Sequence, residues 1–375
     1  MVKVGLDTIN NPIFGGDLST YVIYLYEQFS VDPLPSEICI PSESWKPFIS
    51  MLYQHNSQHE PNYNLVESIE KREHEYDENK VILALSGGKD STASLLRLID
   101  EGKDVTAYFC RKANLSYPKE EFASEDIAKM YNVPHVKDEL FRSGKTDFVE
   151  NPVKNMIFLA RMVEWALDNR CSVVQLGEYW DTGNDKVNVK YDMSDSIDFI
   201  LAFEEAVRSH YPNIRFDFMF ESEATALSYI ITRHEEVLPL IRSCLMPERY
   251  FNRQLSMVIN KFPNLQANPL DKEQNTLPNR CMKCWKCCME WVYLVLWNKI
   301  PYDKEFMEQH ILPVLIKKMP EIDRAWSETE EFKTANTEQI LDHVVELSLL
   351  KKYIADNSTI LKDIHHRFPE LDRNV

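Results

Sequence analysis

The apolar run Val81-Ile82-Leu83-Ala84-Leu85 leads directly into Ser86-Gly87-Gly88-Lys89-Asp90-Ser91, and this junction constrains the chain more than any other stretch. Five apolar residues closed by a glycine pair read as a buried strand entering a tight turn. Leu95, Leu96, Leu98 and Ile99 follow at helical spacing, so the turn opens a helix near Asp90. A strand, a glycine turn and a helix in that order make a cradle for phosphate. Glycines leave the backbone bare and free to take unusual angles, and the amides of the turn and the helix start converge on an anion. Ser86, Ser91 and Thr92 add hydroxyl donors, and Lys89 adds a positive charge. With only nine glycines in 375 residues, an adjacent pair marks a place where the backbone needs them.

Strand-like and helix-like segments alternate from residue 80 to about 220. Strands are predicted at 81–85, 105–110, from 135, at 173–177 and at 215–220. Helices are predicted at 90–101, 119–131, 155–169 and 198–209. This rhythm predicts an α/β fold, a doubly wound parallel sheet covered by helices on both faces. Ligands of such sheets sit beyond the carboxyl ends of the strands. The glycine turn occupies that position after the first strand. Gly177-Glu178-Tyr179-Trp180-Asp181 occupies it after a later one, which makes Glu178 and Asp181 candidates for holding substrate or metal.

Four regions follow. Residues 1–75 form an N-terminal extension with a short helix at 21–29 and a strand at 38–40, cut up by Pro33, Pro35, Pro41 and Pro47. Residues 76–240 form the nucleotide-binding α/β domain, 241–298 a cysteine-rich region, and 299–375 a helical C-terminal extension. The formal charge of −17 argues against a broad nucleic-acid face, which needs clustered Lys and Arg. No secretory leader and no membrane-length apolar stretch is visible, so a cytoplasmic protein with reduced thiols is expected. The two extensions are the candidate docking surfaces for a protein partner or a second copy. His135, His210 and His234 show no partner in the sequence and read as structural or surface residues.

Cys281, Cys284 and Cys287 form a C-x2-C-x2-C array, and Cys244 is the best candidate for a fourth thiolate. Four thiolates suit tetrahedral Zn²⁺ in a closed, structural site. An iron–sulfur cluster is the competing occupant. Cys288 reads as a bystander, and Cys39, Cys110 and Cys171 as small core residues.

The turn lacks the spacing of a Walker loop, which places four residues between its glycines. It resembles the SGGxDS loop of the PP-loop ATP pyrophosphatase superfamily, whose members split ATP between the α and β phosphates. The ordered set of landmarks over about 80–295 resembles the 7-cyano-7-deazaguanine synthase family. They are the turn, Asn151-Pro152-Val153-Lys154-Asn155, the helix from Asp198 to Ala206, Ser243-Cys244 and the cysteine array. That resemblance implies an ATP-dependent C–N ligase that activates the carboxylate of 7-carboxy-7-deazaguanine, or of a related acid, for attack by ammonia or another amine. It implies ATP and Mg²⁺ held by Ser86, Gly87, Gly88, Lys89, Asp90, Ser91 and Thr92, with Lys89, Asp90 and Ser91 as catalytic residues. Asn155 would face substrate, and Cys244, Cys281, Cys284 and Cys287 would hold Zn²⁺. The chain departs from the family at Lys89, where Gln is commonest. It departs again at Tyr191-Asp192-Met193-Ser194-Asp195, where the family carries Tyr-Pro-Asp-Cys-Arg. The loss of that arginine removes a bidentate partner for a carboxylate. Two alternatives stand beside this reading. One is a PP-loop sulfurtransferase that thiolates a tRNA base with an iron–sulfur cluster. The other is a nucleotide-binding regulatory module in a larger complex.

Overall fold

The computed structural model describes residues 17–56, 58–66, 69, 76–112, 118–140, 153–179, 197–219, 223–242 and scattered positions from 287 to 314. The first elements are α1 (Leu18–Gln28), β1 (Glu37–Ile40), α2 (Lys46–His55) and β2 (Asn62–Leu65). Then come β3 (Asp77–Ala84), α3 (Lys89–Asp100), β4 (Asp104–Lys112), α4 (Pro118–Met130) and β5 (His135–Leu140). They are followed by α5 (Lys154–Asp168), β6 (Cys171–Tyr179), α6 (Ile197–Arg208), β7 (Arg215–Met219) and α7 (Glu223–Arg233).

Five strands form one sheet in the order β5-β4-β3-β6-β7, and every neighbouring pair is parallel. The chain steps outward from β3 to β4 and β5, then crosses back to place β6 on the other side of β3. Helices α3, α4 and α7 cover one face; α5 and α6 cover the other. This is the α/β doubly wound parallel sheet that the sequence predicts. Val81, Ile82 and Leu83 are buried because both faces of β3 are covered, which is why the strand reads as a continuous apolar run. The strand starts four residues earlier than its apolar run, since Asp77 pairs with Cys171 and donates its amide to the Arg170 carbonyl at 3.1 Å.

The N-terminal elements were only partly legible in the sequence. Pro47 lies in the first turn of α2, where a missing amide costs nothing, so the proline does not break that helix. Strand β2 is polar and largely exposed, and it pairs with β1 in a separate two-stranded parallel sheet. The extension shares its core with the α5–α6 face. Trp45 packs edge-on against Tyr21 at 4.7 Å and Phe203 at 5.8 Å, and Phe48 stacks on Phe199 at 4.6 Å. A polar anchor joins α1 to α5: the Ser19 amide and hydroxyl donate to the two carboxylate oxygens of Glu164 at 2.7 and 2.9 Å. Arg161 sits beside it and grips Asp138 of β5 with two hydrogen bonds at 2.8 and 3.0 Å. Tyr108 of β4 donates to the same Asp138, and burial, then that bond, pushes its phenol well above the ordinary range. The predicted helical segment in 299–375 lies largely outside the described residues. Within it a short turn at Lys304–Phe306 is present. Among the described residues, no helix is long and apolar enough to cross a membrane.

Candidate functional site

The reversal of winding direction falls between β3 and β6, and an open α/β sheet binds its ligand in the crevice at that point. The glycine turn lies there. Strand β3 ends at Ala84, the Leu85 amide still donates to the Tyr108 carbonyl at 2.9 Å, and α3 begins at Lys89. Gly87 has φ +77°, in the left-handed region that a residue with a Cβ resists. A Cβ there would also fall 2.5 Å from Ala123 Cβ and 2.9 Å from the Ser124 amide nitrogen, so the turn lies flat against α4. Gly177 closes the other side. A Cβ on Gly177 would meet Ser91 Cβ at 2.5 Å and lie closer still to the Ala84 carbonyl. Glycine is required at both places by close approach.

The turn is knit by its own hydroxyls. Ser91 Oγ accepts the Ser86 amide at 3.2 Å and lies 3.1 Å from Ser86 Oγ, while Thr92 Oγ1 donates to the Gly88 carbonyl at 2.6 Å. Gly88 occupies the N-cap of α3 with an extended backbone and offers no side chain to cap the helix. Lys89 is only 3% exposed, and its ammonium lies 3.3 Å from both oxygens of Asp90. A buried cation needs a charge partner, and Asp90 supplies it in the first turn of α3, where a carboxylate is itself favoured. The chain re-enters at Arg242, whose amide donates to the Gly87 carbonyl at 2.8 Å.

All seven predicted phosphate-binding residues, Ser86 to Thr92, therefore lie together at the switch point. Asn155 sits in the first turn of α5, half-buried, at the same carboxyl edge but on the opposite face of the sheet. Glu178 is the penultimate residue of β6, which runs two residues beyond its predicted end at 177. Asp181, Cys244, Cys281 and Cys284 lie outside the described residues. Cys287 is described and fully buried beside the equally buried Cys288. Among the described residues, no group of three His, Cys, Asp or Glu side chains is arranged to hold a metal ion.

The three imidazoles do have partners that are not local in sequence. His135 Nε2 meets Ser124 Oγ at 2.7 Å, Trp45 donates to His210 Nε2 at 3.4 Å, and His234 Nε2 lies 3.2 Å from Asp100. Sequence reasoning placed Gly177 at the sheet's carboxyl edge but not its close approach to Ser91, and it missed Ser124; a glycine inside an apolar strand is the available signal for such an approach.

No protein-family profile matches the chain, and no curated protein matches it. Among solved structures it is similar to the U34-tRNA thiolase NcsA from Methanococcus maripaludis with its 4Fe–4S cluster. That likeness stands at 17% identity and a TM-score of 0.34, and it covers 50% of this chain and 68% of the other. It is too slight to bear on chemistry.

Proposed function

We propose that this chain is an ATP-using enzyme of the PP-loop type, which cleaves ATP between the α and β phosphates and releases pyrophosphate. The observation that carries the reading is the glycine turn at the sheet's switch point. It is backed without space by Ala123 and Ser124, flanked by Gly177, and provided with serine and threonine hydroxyls and the buried Lys89. Turn amides and the uncapped start of α3 suit phosphate oxygens. Ser86, Gly87, Gly88, Ser91 and Thr92 would hold the phosphates, Lys89 would offset their charge, and Asp90 would take Mg²⁺.

The finer proposal is a C–N ligase of the 7-cyano-7-deazaguanine synthase type, activating 7-carboxy-7-deazaguanine or a related acid for attack by ammonia or another amine. It is supported by the sequence landmarks alone, with Asn155, Glu178 and Asp181 toward substrate and Zn²⁺ on Cys244, Cys281, Cys284 and Cys287. The direct test is AMP and pyrophosphate release from MgATP, with and without 7-carboxy-7-deazaguanine and ammonium, the products read by mass spectrometry. Acid-dependent AMP with an amide or nitrile product is expected. AMP formed only with another acceptor would remove the deazaguanine assignment, and an inert protein would remove the enzyme. Metal analysis of the purified chain separates one zinc from iron and sulfide.

A further inference from the structure

The phosphate turn has a back wall, and that wall is tied to the edge strand of the sheet. Gly87 lies against Ala123 and Ser124 of α4, with no room for even a methyl group between them. Ser124 is fully buried, and its hydroxyl meets His135 Nε2 at 2.7 Å. His135 opens β5 and pairs with Ala107 of β4, which pairs with Leu83 near the end of β3. The turn hangs from β3, the imidazole stands on β5, and α4 is held between them. Around that bond Lys137 reaches from β5 to Glu125 at 2.5 Å and Glu121 at 3.4 Å on α4. Burial, then the charge of Lys137, holds the His135 imidazole below its ordinary range, while Glu125 and Glu121 act weakly the other way.

We propose that His135 is a positioning residue for the nucleotide turn: through Ser124 it holds α4 against Gly87 and keeps the turn in the shape that receives phosphate. The inference rests on the reading of residues 86–92 as a phosphate cradle. The turn cannot move toward α4, because the space is filled, but it can follow α4 outward if the helix is released. A turn that must be re-ordered on binding gives up affinity that a pre-ordered one keeps.

The test uses the full chain and compares wild type with His135→Phe, His135→Gln and Ser124→Ala. Tyr53→Phe, which loses the bond from Tyr53 to the Pro35 carbonyl in the N-terminal unit, is the control for general destabilisation. Two readouts are taken: MgATP affinity by calorimetry, and hydrogen exchange of the peptide spanning 84–92. Expected results are roughly tenfold weaker MgATP binding for His135→Phe and Ser124→Ala, with faster exchange at 84–92 in both. His135→Gln should stay near wild type, because its amide can reach Ser124 much as Nε2 does, and Tyr53→Phe should leave both readouts alone. Wild-type affinity in His135→Phe and Ser124→Ala would overturn the proposal, as would His135→Gln binding as poorly as His135→Phe. Should His135→Phe not fold, Ser124→Ala set against His135→Gln decides by the same criteria. If wild type binds no MgATP, the cradle reading falls, and unchanged exchange at 84–92 in Ser124→Ala then sinks the wall as well.

Discussion

At the scale of single residues, two glycines of the same backbone class make a controlled comparison. Gly87 has φ +77° and Gly102 has φ +73°, but a Cβ at Gly102 would meet nothing within 4 Å. Gly102→Ala should therefore cost only the left-handed strain of about 1–2 kcal/mol. Gly87→Ala adds the collision with Ala123 and Ser124, an overpacking cost of about 1–3 kcal/mol. Urea denaturation should separate the two, and calorimetry should show MgATP binding kept in Gly102→Ala and lost in Gly87→Ala. Gly177→Ala belongs with Gly87→Ala: it should lose about 1–3 kcal/mol and weaken MgATP, because its methyl group would displace Ser91. Equal behaviour of Gly177→Ala and Gly102→Ala would refute the close approach. The turn itself was legible because its signals, the apolar strand, the glycine pair and the helical stripe, lie within one local run from Val81 to Ile99. The approach of Gly177 to Ser91 joins positions 86 apart, and the bond from Ser124 to His135 depends on which strand follows α4. Neither leaves a local signal.

At the scale of elements, hydrophobic period located every strand and helix that packs on the five-stranded sheet up to β7, because each buries an apolar run or stripe. It failed at the exposed β2, at α2 with its Pro47, and at α7, whose buried stripe of Ala226, Leu227, Ile230 and Ile231 was not read as a helix. The contact of α1 with α5 shows how such an element is fastened. Burial raises the Glu164 carboxyl above its ordinary range, against the bonds from Ser19 and the charge of Arg161. A carboxyl raised on folding binds its proton more readily in the native chain. Its contribution to stability is full below the unfolded value of about 4.3 and is lost as pH rises through the folded one. Ser19→Ala removes the 2.9 Å hydroxyl bond and lets that carboxyl rise further. It should cost about 1.5–3 kcal/mol at pH 7, where the lost bond is to a charged acceptor, and less at pH 4.5. Urea midpoints at the two pH values check the sign, and a larger loss at the lower pH would contradict it.

At the scale of the whole molecule, the boundary near residue 75 is a boundary in sequence that the apolar core crosses. One buried cluster runs from Leu18 and Trp45 through Ile157 and Val163 to Phe203 and Phe216. Trp45 is its joint. The indole is fully buried, lies edge-on to Tyr21, Phe48 and Phe203, and donates to His210 in the turn after α6. Trp45→Ala should cost about 3–5 kcal/mol, a large part of the roughly 5–15 kcal/mol that a native fold has to lose. If the N-terminal unit were merely tethered, that loss would stay within it, and residues 38–53 alone would lose protection from hydrogen exchange. A shared core predicts otherwise. Protection at 38–53 and at 199–216 should fall together in Trp45→Ala, by the same factor and with the same urea dependence, because emptying the joint exposes both sides of it. The glycine turn stands on the opposite face of the sheet, with α3 and α4. MgATP affinity below the new unfolding midpoint should therefore stay near that of wild type, which sets the packing role of the N-terminal unit apart from the chemistry of the turn.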